Sequence, residues 1–141
     1  MKTLRIKAAA KLNLSLDILG IRPDGYHEMD MVMQTIDLFD DVELSKAGTI
    51  SVFSDGSPDG PENLVWKAAE AFFRAAKRSG GARIRLTKRI PAQAGMAGGS
   101  ADAAAVLIGL NALYDACLSP EALRDAGLSV GADVPYCLIG G

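Results

Sequence analysis

The stretch ARIRLTKRIPAQAGMAGGSADAAAVLIGL, Ala82 to Leu110, changes its periodicity midway. Ile84 and Leu86 alternate with Arg83 and Arg85, the period of two that sends side chains to opposite faces of a strand. Beyond Gly95, Gly98 and Gly99 the apolar residues Ala103, Val106, Leu107, Leu110, Leu113 and Tyr114 recur at helical spacing, predicting a helix from about Ser100 to Ala116. Strand, glycine loop and helix therefore follow one another. A helix N-terminus leaves backbone N–H groups unpaired and carries partial positive charge, so a glycine loop leading into one is suited to bind an anion. The glycines fit equally a turn that packs a helix closely on a strand. The loop is not a Walker A sequence, since no Lys-Ser/Thr follows the glycines, and the Gly95-x-x-Gly98-Gly99 spacing is not the dinucleotide fingerprint. Gly98-Gly99-Ser100-Ala101-Asp102 also lacks the second flanking glycine of a nucleophile elbow.

Upstream, Leu12, Leu14, Leu16 and Ile18 alternate with Lys11, Asn13, Ser15 and Asp17, which predicts a strand with Lys11 and Asn13 on one polar face. Pro23-Asp24-Gly25 marks a turn. Met31 to Phe39, Asp41 to Ser45 and Thr49 to Phe53 read as further strands. Asn63 is a good N-cap for a helix carrying Val65, Ala69, Phe72, Phe73 and Ala76, with Ser79-Gly80-Gly81 as its stop. Ser119-Pro120 opens a short helix that Gly127 is expected to close, and Val134 to Ile139 reads as a last strand. In that reading Asp133, in GADVPY, lies at a strand entrance. Strands early and helices late predict an α+β two-layer domain rather than a doubly wound sheet.

Composition limits the function. With 141 residues, 49% of them hydrophobic, the chain suits one well-packed domain. Fifteen basic and 17 acidic residues leave a formal charge of −2, which gives no general attraction for nucleic acid or an anionic membrane. Cys117 and Cys137 lack C-x-x-C spacing, and with the one histidine they argue for free thiols and against a structural zinc site. The apolar positions of the first nineteen residues are broken by Lys11, Asn13, Ser15 and Asp17, unlike a signal sequence, and no apolar run is long enough to span a bilayer. A cytoplasmic protein is the expectation.

Two features carry chemistry besides the loop. Asp133 suits a carboxylate that orients an alcohol and accepts its proton, with Lys11 as a complementary cation. On the residues alone they read also as a turn cap and a solvated strand residue. Tyr26 and His27 follow a turn and suit stacking on a base, or stand as a half-buried aromatic and a surface imidazole.

Three pieces, AKLNLSLDILGIRPDGYHEM, IPAQAGMAGGSADAAAVLIGLN and LSVGADVPYCLIGG, taken in this order, resemble the GHMP kinase superfamily. Within it they resemble the branch acting on a cytidine diphosphate methylerythritol. The resemblance extends over essentially the whole chain and is weakest from Val42 to Gly60. It implies the N-terminal domain of such a kinase, over residues 1–141, similar to the second domain of ribosomal protein S5. It implies ATP with Mg²⁺ as cosubstrate, and phosphorylation of the 2-hydroxyl of 4-diphosphocytidyl-2-C-methyl-D-erythritol in non-mevalonate isoprenoid precursor biosynthesis. Lys11 and Asp133 match the catalytic pair, and Asn13, Tyr26 and His27 match substrate contacts. Pro91, Ala92, Gln93, Ala94, Gly95, Met96, Ala97, Gly98, Gly99, Ser100 and Ala101 match the ATP loop, with Asn63 and Lys88 near the adenine. Ala97 stands where many relatives have glycine, and Ala92-Gln93-Ala94 replaces a more glycine-rich lead-in. The superfamily continues with a second domain, absent from this chain, so the resemblance implies an incomplete fragment, weakly active or inactive alone and prone to self-association. Two competing readings are an S5-like RNA-binding module, whose basic residues would be Lys77, Arg78, Arg83, Arg85, Lys88 and Arg89, and an inert nucleotide-binding fragment.

Overall fold

The computed structural model describes residues 3–13, 33–54, 60–89 and 98–139. Four strands, β1 (Thr3–Asn13), β2 (Met33–Ala47), β3 (Ser51–Ser54) and β4 (Gly81–Thr87), form one sheet in the order β1-β2-β4-β3. β2 is antiparallel to both β1 and β4, whereas β3 and β4 are parallel. Helix α1 (Leu64–Ala76) provides the crossover between the parallel pair. Helices α2 (Gly98–Leu113), α3 (Pro120–Val130) and α4 (Val134–Ile139) follow β4.

Alternation decides which sheet face is covered. On β4, Ala82, Ile84 and Leu86 are buried while Arg83 and Arg85 are exposed, and on β2, Val42 and Leu44 are buried. The outer face is polar, with Arg5 bonded to Glu43 at 3.0 Å and Arg83 lying 5.0 Å from the Phe53 ring centre. On the inner face, α1 packs on β3 and β4, and α2 on β1 and β2; α3 and α4 pack on these helices. The result is a sheet layer and a helix layer, the α+β arrangement expected from the order of elements.

Helix α2 is buried nearly all round, from Ala101 and Ala103 through Val106, Leu107 and Leu110 to Leu113. Helices packed over the side away from the sheet require apolar residues there too, and small alanines permit the close approach. At its far end Tyr114 donates to the Gly81 carbonyl at 2.6 Å and meets Phe73 edge to face, tying α2 to the start of β4 and to α1.

Four expectations are corrected. Met31 to Phe39 and Asp41 to Ser45 are not separate strands, because β2 runs unbroken from Met33 to Ala47 with Asp40 buried within it. Val134 to Ile139 is helical: its apolar run buries Val134 and places Leu138 within reach of Gly127, a contact that one turn of helix makes and an alternating strand does not. Gly127 lies inside α3 rather than closing it, since a Cβ there would stand 2.9 Å from Val134 Cγ1, and Gly131 is the C-cap. The first strand also begins earlier than expected, at Thr3, with a register shift between Ala9 and Lys11; its expected continuation through Ile18 lies outside the described residues.

Candidate active site

Strand directions assemble one end of the sheet. Because β2 is antiparallel to both neighbours, the C-terminal ends of β1 and β4 lie at the same sheet edge. Lys11 and Asn13 are at that end of β1, paired through their backbones with Thr35 and Met33, and Lys88 follows that end of β4. Helix α2 begins there as well, since Asp102 in its second turn contacts Lys88, and it runs back along the sheet until Gly109 meets Ile6 and Leu44. One sheet edge thus carries the backbone of the candidate lysine, the strand leading into residues 90–97 and the helix leaving them. The side chains of Lys11 and Asn13 lie outside the described set, as do Tyr26, His27 and Pro91 to Ala97.

Among the described residues, the strongest electrostatic feature of this edge is a buried group that the sequence reading missed. Lys88 Nζ donates to Asp40 Oδ2 at 2.8 Å and to Asp102 Oδ2 at 2.6 Å. Asp40 is 0% exposed and Asp102 1%. The backbone N–H of Arg89 donates to the other oxygen of Asp40, and the Arg89 guanidinium reaches Asp41 at 2.6 Å. Burial pushes the Asp102 carboxyl from 3.8 up to about 8, and Asp40 adds to the rise, against the lowering by Lys88. For Lys88 itself, burial acts to lower the pKa, and the hydrogen bonds to Asp102 and Asp40 outweigh it, so the group stays charged with a raised pKa. A signal for Asp102 was present in the sequence. It is the one charged residue in the otherwise apolar run from Ala101 to Leu110, on a helix buried along most of its length.

The remaining candidates are separate from this group. Asn63 is buried and its side-chain oxygen accepts from the Val65 N–H at 3.0 Å, the N-cap role expected of it. Asp133 is exposed immediately before α4, where its carbonyl accepts from the Cys137 N–H, so it stands at a helix entrance and not at a strand entrance. Gly98, Gly99 and Ser100 form the first turn of α2, which carries no acidic residue, and a Cβ on Gly99 would stand 3.2 Å from Leu64 Cδ1. A helix N-terminal turn of small residues with no acidic side chain fits a bound phosphate. The six basic residues of the RNA-binding reading do not form one surface: Lys77 and Arg78 end α1, Arg83 and Arg85 lie on the outer sheet face, Lys88 is enclosed by carboxylates and Arg89 reaches Asp41.

Comparison with known proteins gives the family of the chain. The family model for the GHMP kinases N terminal domain matches residues 63–141. The 4-diphosphocytidyl-2-C-methyl-D-erythritol kinase of Geobacter metallireducens is 46% identical over 144 residues, covering 99% of this chain and 51% of that protein. The enzyme of the same name from Pelotomaculum thermopropionicum is 51% identical over 138 residues, covering 95% of this chain and 48% of its own. A crystal structure of 4-(cytidine 5'-diphospho)-2C-methyl-D-erythritol kinase superposes with a TM-score of 0.76 at 41% identity, over 97% of this chain and 49% of that one. The chain therefore spans about half the length of the curated relatives it matches.

Proposed function

Because this chain belongs to the GHMP kinase family and carries its N-terminal domain, we propose that it forms the nucleotide-binding half of a kinase that phosphorylates the 2-hydroxyl of 4-diphosphocytidyl-2-C-methyl-D-erythritol. The observation that carries the reading is 46% identity to an enzyme of that name across 99% of the chain. The cosubstrate is ATP with Mg²⁺, which supplies the transferred phosphoryl group. In this reading the segment from Pro91 to Ala101 wraps the phosphates, with the amides at the start of α2 as donors. Asp133 accepts the proton of the acceptor hydroxyl and Lys11 neutralises charge beside it, while Asn13, Tyr26 and His27 hold the cytidine end and Asn63 and Lys88 stand near the adenine. The exposure of Asp133 supports its access to substrate. A cytoplasmic setting agrees with the chemistry, and among the described residues no helix is long and apolar enough to cross a membrane.

Titration of Mg·ATP into the purified chain tests the nucleotide half of the proposal, with measurable binding expected. In a two-domain enzyme carrying this sequence, Asp133→Asn is expected to lower kcat by about 100-fold or more with little change in substrate KM, the range of a lost general base. Near-normal turnover in that variant removes Asp133 from the role. The chain by itself is expected to bind ATP weakly, turn over little and self-associate, which a kinase assay and light scattering check.

A further inference from the structure

The outer face of the sheet, away from the helices, carries a pocket of about 350 Å³ lined by Thr3, Glu43, Leu44, Ser45, Arg83 and Arg85. Strand register builds it. Thr3, Ser45 and Arg83 pair across β1, β2 and β4, and Arg5, Glu43 and Arg85 form the adjacent row on the same face. Since Thr3 begins β1, the pocket lies towards the end of the sheet opposite to Lys11 and Lys88. Its one carboxylate, Glu43, is already neutralised by Arg5, which bonds it at 3.0 Å. Arg83 is held with its guanidinium 5.0 Å from the Phe53 ring centre. Among the described residues neither Arg83 nor Arg85 is ion-paired, and the hydroxyl of the nearly buried Ser45 makes no hydrogen bond.

We infer that this pocket binds a small phosphate monoester, its phosphate held by the guanidinium groups of Arg83 and Arg85 with the Ser45 hydroxyl as a further donor. Charge, geometry and volume each point there. With Arg5 and Glu43 cancelling, two positive charges line the pocket, matching the charge of about −2 that a phosphate monoester carries at neutral pH. A guanidinium presents a planar fork of donors that fits phosphate oxygens two at a time. Stacking on Phe53 restricts Arg83 before a ligand arrives, which reduces the ordering cost of binding. A water occupies about 30 Å³ of liquid, so the pocket has room for a phosphate and several further atoms of its ester. Because α2 packs on the other face of the sheet, occupancy of this pocket is separable from the binding of ATP.

Amide NMR spectra of the purified chain, titrated separately with inorganic phosphate and with glycerol 3-phosphate, test this. Saturable shifts are expected at Ser45, Arg83 and Arg85 with both, the ester binding at least as tightly as inorganic phosphate. Binding of inorganic phosphate with exclusion of the ester overturns the assignment to esters. The double variant Arg83→Gln/Arg85→Gln is expected to raise the Kd read at the Ser45 amide by about 10-fold or more, the scale of one lost charged hydrogen bond, and Ser45→Ala, read at the arginine amides, by about threefold. Lys67→Gln/Arg74→Gln removes the same charge from exposed positions of α1, in the helix layer, and is expected to leave the Kd within about twofold. An arginine double variant, folded by circular dichroism, that binds like the unsubstituted chain overturns the inference. So does an equal loss in the α1 double variant, which marks general charge attraction. Shifts confined to the first turn of α2 overturn it as well while leaving the nucleotide reading intact, an outcome readable even where the arginine variant does not fold.

Discussion

A single buried ammonium between two buried carboxylates sets opposite consequences for its neighbours. Removing the cation leaves the buried Asp40 carboxylate without its ammonium, so Lys88→Met is expected to cost about 3–5 kcal/mol, measured by urea unfolding at pH 7. Asp102 behaves differently because it is already close to neutral. Its folded pKa of about 8 exceeds the 3.8 of the free group, so between those values the folded state holds more proton than the unfolded one. The contribution of Asp102 to stability is then most favourable below about pH 4 and declines as pH rises towards 8. Asp102→Asn removes that slope: relative to the unsubstituted chain it is expected to gain stability progressively from pH 4 to pH 8, on the order of a few kcal/mol in all. Unfolding midpoints at pH 5 and pH 8 check the sign, and a constant difference between the two proteins contradicts it. Asn63 permits a comparable separation of roles. Its capping oxygen is retained by Asp, so Asn63→Asp is expected to preserve stability while Asn63→Ala costs about 1 kcal/mol or more. If ATP affinity also falls in the Asp variant, the side chain contributes to the adenine site beyond its cap.

At the level of elements, the seating of α2 on the sheet depends on one glycine. An alanine within a helix ordinarily stabilises it relative to glycine by about 1 kcal/mol. At Gly109 the sign is expected to reverse, because a Cβ there would stand 2.7 Å from Ile6 Cδ1 and closer still to Leu44 Cδ1. Leu44 is fully buried and has little room to yield, so Gly109→Ala is expected to cost about 1–3 kcal/mol in thermal or urea unfolding. A stabilised variant would show that α2 can lift from β1 and β2 without penalty. This contact and the Asp102–Lys88 bond hold the same helix at two heights along the sheet, which keeps its N-terminal turn at the end of the sheet towards which β1 and β4 run.

For the molecule as a whole, what was legible in the sequence depended on the range of the interactions involved. Alternation at Arg83 to Leu86, the Asn63 cap and the glycines before α2 are local signals, and each element they announced is present. The same holds for the family, whose motifs are contiguous stretches of chain. The helix at Val134–Ile139 was misread because a short apolar run fits strand and helix alike, and only Gly127 of the neighbouring helix, packed against Val134 and Leu138, decides between them. Likewise Asp40 resembled a break between strands, since a charge inside an apolar stretch signals exposure until a distant cation is found to meet it. By itself, then, the sequence determined the α+β class, the strand–glycine–helix order and kinship with the GHMP kinases, all carried by neighbours along the chain. Tertiary structure alone decided that β1, β4 and α2 meet at one sheet edge and that Asp40, Lys88 and Asp102 form one buried group there. Those residues are separated by 48 and 14 positions, and the charge state of each depends on burial and partners that exist only once the sheet and helix have packed.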